Sequence, residues 1–235
     1  MVKQSLQQRL GGCARHEQCA PTLIMLAATV LLLAWWYFGR AANPQEFAGF
    51  RDPVFAAGVY EMLAAFVLLG VIPALIVVLV LRHRAGDYGL RIGDPVKTFR
   101  SAAVSIPFFV LAGYLASGDP SVRAAYPLNA AAGGSAGAFA VHVATYLLFY
   151  VGWEFMFRGF LLFGLAGQYG LVAAVMIQAM ASSLIHVGKP PMEAFLAIPV
   201  GIYWGWLALR TRSILSPLLQ HAALGIALDA FIVFG

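Results

Sequence analysis

The sequence predicts an all-α fold, a polytopic transmembrane bundle of about seven spans with its N-terminus in the cytoplasm, and three observations predict it. The first is composition: of 235 residues, 61% are hydrophobic and only 11% charged, against about 25% charged in soluble domains. Such apolar content excludes a soluble globule, and it excludes disorder, which needs low hydrophobicity and high net charge. The second is the row of long apolar runs, each close to the roughly 20 residues that cross a ~30 Å hydrocarbon core. The runs are unbroken rather than alternating, so a helix, not a barrel strand, satisfies their backbone. The third is the placement of basic residues. With the N-terminus inside, ten cations (Lys3, Arg9, Arg15, Arg82, Arg84, Arg91, Lys97, Arg100, Arg210, Arg212) fall on inner segments and four (Arg40, Arg51, Arg123, Lys189) on outer ones, the bias that cytoplasmic loops carry.

The elements follow in order. Residues 1–21 form a polar, basic tail. The run Thr22–Gly39 reads as a retained signal anchor, because the polar stretch before it is long and no small-residue cleavage site follows. Further runs lie at about 57–81, 101–118, 138–166, 169–187, 193–209 and 214–234. Between them, Arg82–Arg100 is a charged, Gly-containing cytoplasmic loop with a surface-lying portion, read as a connection and not as a lipid-recognition module. Asp119–Gly137 holds Pro120, Pro127 and an Ala/Gly run. Gly188-Lys189-Pro190-Pro191 ends a helix, since proline lacks the amide donor and clashes with the preceding turn. Ser216-Pro217 reads as an N-cap followed by proline at the first helical position. Three units result: the tail 1–21, N-terminal spans and loop 22–99, and a core 100–235. The expected location is a bacterial inner membrane.

The net charge of +5 does not indicate nucleic acid, because the cations are not clustered with exposed aromatics. Cys13 and Cys19 have no metal-site spacing and read as incidental thiols. The partners expected are membrane lipid and a membrane-tethered peptide or protein.

Ionisable side chains inside spans are costly and mark function by default. From residue 124 onward there are seven Asp, Glu, Lys or Arg residues: Glu154, Arg158, Lys189, Glu193, Arg210, Arg212 and Asp229. Glu154 and Arg158 stand at i, i+4 on one helix face, with the acid on the favourable N-terminal side. His186 closes one helix and His221 lies in the last. Helical rise places Glu154, His186 and His221 at depths that tilt could bring together in the inner half of the bilayer. A buried Glu with two His can activate water, protonate a leaving amine and stabilise an oxyanion, the requirements of amide hydrolysis. The same Glu154, His186 and His221 could instead hold zinc, as His₂Glu sites do, and the spacing does not separate the two.

The stretches Trp153-Glu154-Phe155-Met156-Phe157-Arg158-Gly159, Ser182-Ser183-Leu184-Ile185-His186 and His221-Ala222-Ala223-Leu224-Gly225 resemble the three motifs of the CPBP (CAAX protease and bacteriocin-processing) family of intramembrane endopeptidases: E-E-x-x-x-R-G, F-x-x-x-H and H-x-x-x-N/D. The resemblance covers about residues 100–235. It implies catalysis by Glu154, His186 and His221, with Arg158 positioning Glu154. Three positions depart from the pattern. Trp153 stands at the first Glu, Ser182 at the Phe and Gly225 at the Asn/Asp. The first Glu is credited in the family with activating water, so three readings stay open: Glu154 takes over as base, Glu193 supplies the missing carboxylate, or the protein is an inactive relative.

Other features carry less. Gly133-Gly134-Ser135-Ala136-Gly137 matches G-x-S-x-G formally, but lies in a loop before a helix and not in a strand–turn–helix elbow. No H-E-x-x-H or phosphate-binding loop is present. His142 is expected to be interhelical or outer-facing, Glu61 interfacial, and Asp229 turned to the outer interface. Trp35-Trp36-Tyr37-Phe38 reads as an interfacial aromatic belt. The expectation is an intramembrane endopeptidase acting on a prenylated C-terminus, a bacteriocin leader or a C-terminal sorting helix. The rivals are a non-catalytic scaffold and a small-solute transporter; a transporter would more often show repeated halves, which are not apparent.

Overall fold

The structure, a computed structural model, describes residues 16–40 and 43–235, with side chains described from residue 20 onward. Cys13 and the tail cations Lys3, Arg9 and Arg15 lie outside the described residues, as does the Cys19 side chain. All regular structure among the described residues is helical. Seven principal helices are labelled here: α1 (His16–Ala34, continued by a π-helical turn Trp35–Gly39), α2 (Pro53–Val80), α3 (Pro95–Ser117), α4 (Ala136–Tyr169), α5 (Leu171–Leu184), α6 (Pro191–Thr211) and α7 (Leu215–Phe234). Six are long and apolar enough to cross a membrane. The exception is α5, whose 14 residues extend only about 21 Å. Its apolar run, 169–187, contains a chain reversal at Gly170 (φ 81°) and a closing turn after Leu184, so not all of it is helix. The expectation of about seven spans thus becomes six spanning helices and one shorter one.

Helix starts follow from local chemistry. Asp52 and Asp94 each precede a proline, and their carboxylates accept the amide hydrogens of Phe55 (2.9 Å) and Lys97 (3.0 Å). A capping side chain satisfies an otherwise orphaned donor, while proline at the first helical position gives up an amide that has no intrahelical partner. Ser135 caps α4 through Ala138 N–H at 3.0 Å, which makes the G-x-S-x-G match a helix start. The Ser216-Pro217 cap is corrected: α7 begins at Leu215, whose amide is held by Ser213 Oγ at 3.0 Å, and Ser216 instead bonds Ser101 of α3 at 2.7 Å.

The central helix is α4. Every residue from 152 to 162 is buried, among α1, α2, α5, α6 and α7. Small residues allow the close approach that membrane helices use in place of a hydrophobic driving force. A Cβ at Gly152 would lie 2.8 Å from the Ala65 carbonyl of α2, and one at Gly113 of α3 would lie 3.0 Å from the Leu224 carbonyl of α7. Large apolar side chains such as Val104, Phe108, Val172 and Phe195 are exposed, as lipid-facing positions require.

Candidate active site

Just past Glu154, α4 becomes π-helical over Phe155–Leu161, a local rewinding that recurs at functional sites. It leaves Glu154 and Arg158 on one face, fully buried at 0% and 2% exposure, with Arg158 donating to Glu154 Oε1 at 3.2 Å. From α7, His221 Nδ1 meets the same oxygen at 2.7 Å. With a carboxylate as acceptor, Nδ1 carries the hydrogen and Nε2 is left for another partner. The second carboxylate oxygen, Glu154 Oε2, is buried without a partner, as is Arg158 Nε.

Aromatic rings fix this cluster. The His221 ring lies between Tyr150 and Trp204, each 4.5 Å away by centroid, and the Arg158 guanidinium stands 5.3 Å from the Trp204 ring. Trp204 Nε1 donates to Gln220 (3.1 Å), which donates to Ser216 (3.2 Å), so a hydrogen-bonded row ties α6 to α7 and, through Ser101, to α3.

His186 pairs elsewhere. Its Nδ1 donates to the Ser182 carbonyl at 2.6 Å, and its Nε2 faces Glu193 Oε1 at 3.9 Å. Tyr126, from the loop before α4, donates to that same Glu193 oxygen at 2.6 Å. Lys189 stands 4.3 Å over the Tyr126 ring. Burial, with the Glu193 carboxylate second, pushes the Tyr126 hydroxyl well above the ordinary tyrosine value, so it remains a donor. Burial pulls Lys189 down from the usual lysine value, against the attraction of Glu193. The His186 and Glu193 side chains are 17% and 25% exposed, whereas Glu154 is sealed. Trp153 sets its ring edge against His186, 5.6 Å between centroids.

The five sequence-predicted residues therefore form two acid–imidazole pairs rather than one cluster. Glu154, Arg158 and His221 share a carboxylate, while His186 and Glu193 face each other beside Trp153. As placed, the donors Glu154, His186 and His221 do not form a metal-ligand set, and no group of three His, Cys, Asp or Glu does so among the described residues. Asp229 is corrected: it is fully buried and pairs with His142 across α7 and α4 at 2.7 Å. His142 is interhelical, one of its two expected placements. Glu61 is 14% exposed and 3.8 Å from Arg40.

Sequence reasoning missed Tyr126 and Tyr150. Tyr126 lies in a Pro-containing loop, and no spacing rule links it to Glu193. A signal for Tyr150 did exist in Gly225: a Cβ there would overlap the Tyr150 hydroxyl and come 3.2 Å from that of Tyr146. Glycine at this position leaves room for a tyrosine from the neighbouring helix.

A polytopic helical protein with paired carboxylates and imidazoles in its interior is the class that fold and site define. Residues 135–227 match the family model described as type II CAAX prenyl endopeptidase Rce1-like, a match that supports membership of the CPBP family. The match contains both acid–imidazole pairs and ends before Asp229. No curated protein and no solved structure matches the chain.

Proposed function

We propose that the protein is an intramembrane endopeptidase in which the water-activating carboxylate is Glu193 and the site at Glu154 positions His221. The observation that carries this reading is the 3.9 Å between His186 Nε2 and Glu193 Oε1. The two atoms are too far apart for a direct hydrogen bond, yet one water can lie within about 2.8 Å of both. A general base must reach the proton that it removes, and this pair is partly exposed while Glu154 is not. Glu193 takes the proton from water, His186 orients the attacking oxygen, and Tyr126 holds the carboxylate in place. On the other pair, the Glu154 carboxylate accepts from His221 Nδ1 and so fixes the tautomer, which leaves Nε2 as the ring nitrogen that exchanges a proton with the leaving amine. Arg158 holds Glu154 in turn. The substrate class is a membrane-tethered peptide or protein, cleaved at a C-terminal, sorting or leader segment, and a bacterial inner membrane is the proposed location.

A second reading makes Glu154 the base, favoured by its buried, unpartnered Oε2. Cleavage of a reporter substrate in native membranes separates the readings. Glu193→Gln is expected to lower the rate at least about 100-fold, the usual contribution of a general base, with KM little changed. If Glu193→Gln cleaves normally and Glu154→Gln does not, the second reading holds. If both cleave as wild type, neither carboxylate is the base and the catalytic assignment fails.

A further inference from the structure

At the other end of the bundle, away from Glu193, four cations line one concave pocket. Arg91, Lys97, Arg210 and Arg212 surround a cavity of about 610 Å³ together with Gly93 and Asp94. They come from three places: the loop before α3, the first turn of α3, and the turn joining α6 to α7. Helix polarity explains two of them, because cations are favoured at the C-terminus of α6, where Arg210 and Arg212 lie. It does not explain Arg91 and Lys97, which the fold carries to the same cavity.

The pocket is built. Asp94 N–H donates to the Thr211 carbonyl (2.9 Å), Arg91 Nε to the Arg212 carbonyl (2.9 Å) and Ser213 Oγ to the Arg91 carbonyl. Gly93 (φ 74°) lies where a Cβ would overlap the Thr211 carbonyl. Arg212 is left-handed (φ 55°), a conformation that costs a non-glycine residue about 1 kcal/mol or more and persists where surrounding structure imposes it. Within the pocket the acid is Asp94, engaged by Lys97 at 2.8 Å, so the balance stays cationic.

What borders the pocket identifies the ligand. Trp206 is exposed one turn above Arg210, whose guanidinium lies 4.9 Å from its ring. Val96 and Phe99, beside Lys97, are also exposed. Apolar side chains thus face the hydrocarbon beside cations that face the headgroup layer. From this juxtaposition we infer that the pocket binds the phosphate headgroup of an anionic membrane lipid, with its acyl chains along Val96, Phe99 and Trp206. Basic pockets between helix ends take such headgroups. Read as sequence, Arg82–Arg100 is an ordinary basic loop; only its folding onto residues 211–213 makes a site.

The test uses the purified full chain in a non-ionic detergent, with dioleoyl phosphatidylglycerol or dioleoyl phosphatidylcholine added. Bound lipids are counted by native mass spectrometry, and the thermal unfolding midpoint is followed. Phosphatidylglycerol is expected to bind more tightly and to raise the midpoint. The double variant Lys97→Gln/Arg210→Gln should weaken its binding about 25-fold, from about fivefold per cation. Arg51→Gln, at the opposite end, should leave binding unchanged. Arg212→Gly separates folding from binding: glycine tolerates the left-handed backbone, so the lipid-free midpoint holds or rises while the gain from phosphatidylglycerol shrinks. The inference is overturned if the double variant keeps its preference for phosphatidylglycerol, or if Arg51→Gln loses as much. It is equally overturned if inorganic phosphate at the same concentration stabilises the protein as well as the lipid does, since the pocket then takes a soluble anion. None of these readouts depends on catalysis.

Discussion

Removing either member of the Glu154–Arg158 pair should cost about as much as removing both. The pair is 3.2 Å apart and 0% and 2% exposed, so water cannot screen whichever charge is left behind. Breaking a buried ion pair by deleting one partner costs about 3–5 kcal/mol, whereas replacing the whole pair with uncharged groups is often close to neutral. Glu154→Gln keeps a carbonyl oxygen for His221 and Arg158, which puts it at the low end, about 3 kcal/mol. Arg158→Met strands the carboxylate, although His221 at 2.7 Å supplies a partial counter-charge, again giving about 3 kcal/mol. The double variant should lose about 3 kcal/mol rather than the 6 kcal/mol of an additive pair, a coupling of about 3 kcal/mol at the upper end for neighbouring residues. Denaturant unfolding of the four proteins in detergent micelles measures this cycle. Reporter cleavage run in parallel shows whether the double variant regains function, and on the proposed mechanism it does not, because His221 has lost its anionic partner. Additive single effects within about 0.5 kcal/mol would refute the buried-pair reasoning. Cleavage restored in the double variant would refute the positioning role.

Three further outcomes are expected. Gly225→Ala should destabilise by about 1–3 kcal/mol through overpacking against Tyr150 and Tyr146, and Tyr150→Phe should recover part of that loss, as thermal unfolding of the single and double variants would reveal. His142→Leu and Asp229→Leu should each cost about 2–3 kcal/mol by leaving a buried polar partner, while the two together approach wild-type stability; equal losses in all three proteins would contradict this. Asp94, outside the spans at the start of α3, has its carboxyl held below the usual range by its hydrogen bonds to Lys97. A lowered folded-state pKa contributes stability above the unfolded value near 4 and loses it as pH falls through the folded value. Acid titration of unfolding should therefore show a loss below about pH 4 that Asp94→Ala lacks.

The spans were legible because lipid imposes a blunt rule on sequence, a long apolar run bounded by prolines, acids or cations. Composition does not say whether every apolar residue is helical, which is why the run 169–187 concealed the reversal at Gly170 and the short α5. The Glu154–Arg158 contact was legible because both residues lie on one helix, where spacing is geometry. Asp229 was not. Which neighbour fills its face of α7 depends on helix packing, and the neighbour is His142 of α4. The same limit hid Tyr126: a loop tyrosine acquires meaning only when α6 brings Glu193 to it.

The two departures at Trp153 and Gly225 bear on whether this site works. At each, a polar group from another element stands nearby: Glu193 of α6 faces His186 beside Trp153, and the Tyr150 hydroxyl of α4 fills the space at Gly225. Stability alone gives little reason for these arrangements. An isolated buried ion pair is commonly replaceable by apolar residues at no loss, and glycine in a helix interior costs about 1 kcal/mol relative to alanine. A decaying site would be free to exchange the Glu154–Arg158 pair for well-packed apolar residues and, once Tyr150 is shortened, to fill position 225 with alanine. Instead the site holds two carboxylates, two imidazoles and a guanidinium, with Glu154 sealed and Glu193 partly exposed. That division, one carboxylate to hold a histidine and one to meet water, is the one the proposed hydrolysis needs, and a scaffold is expected to lose it without consequence.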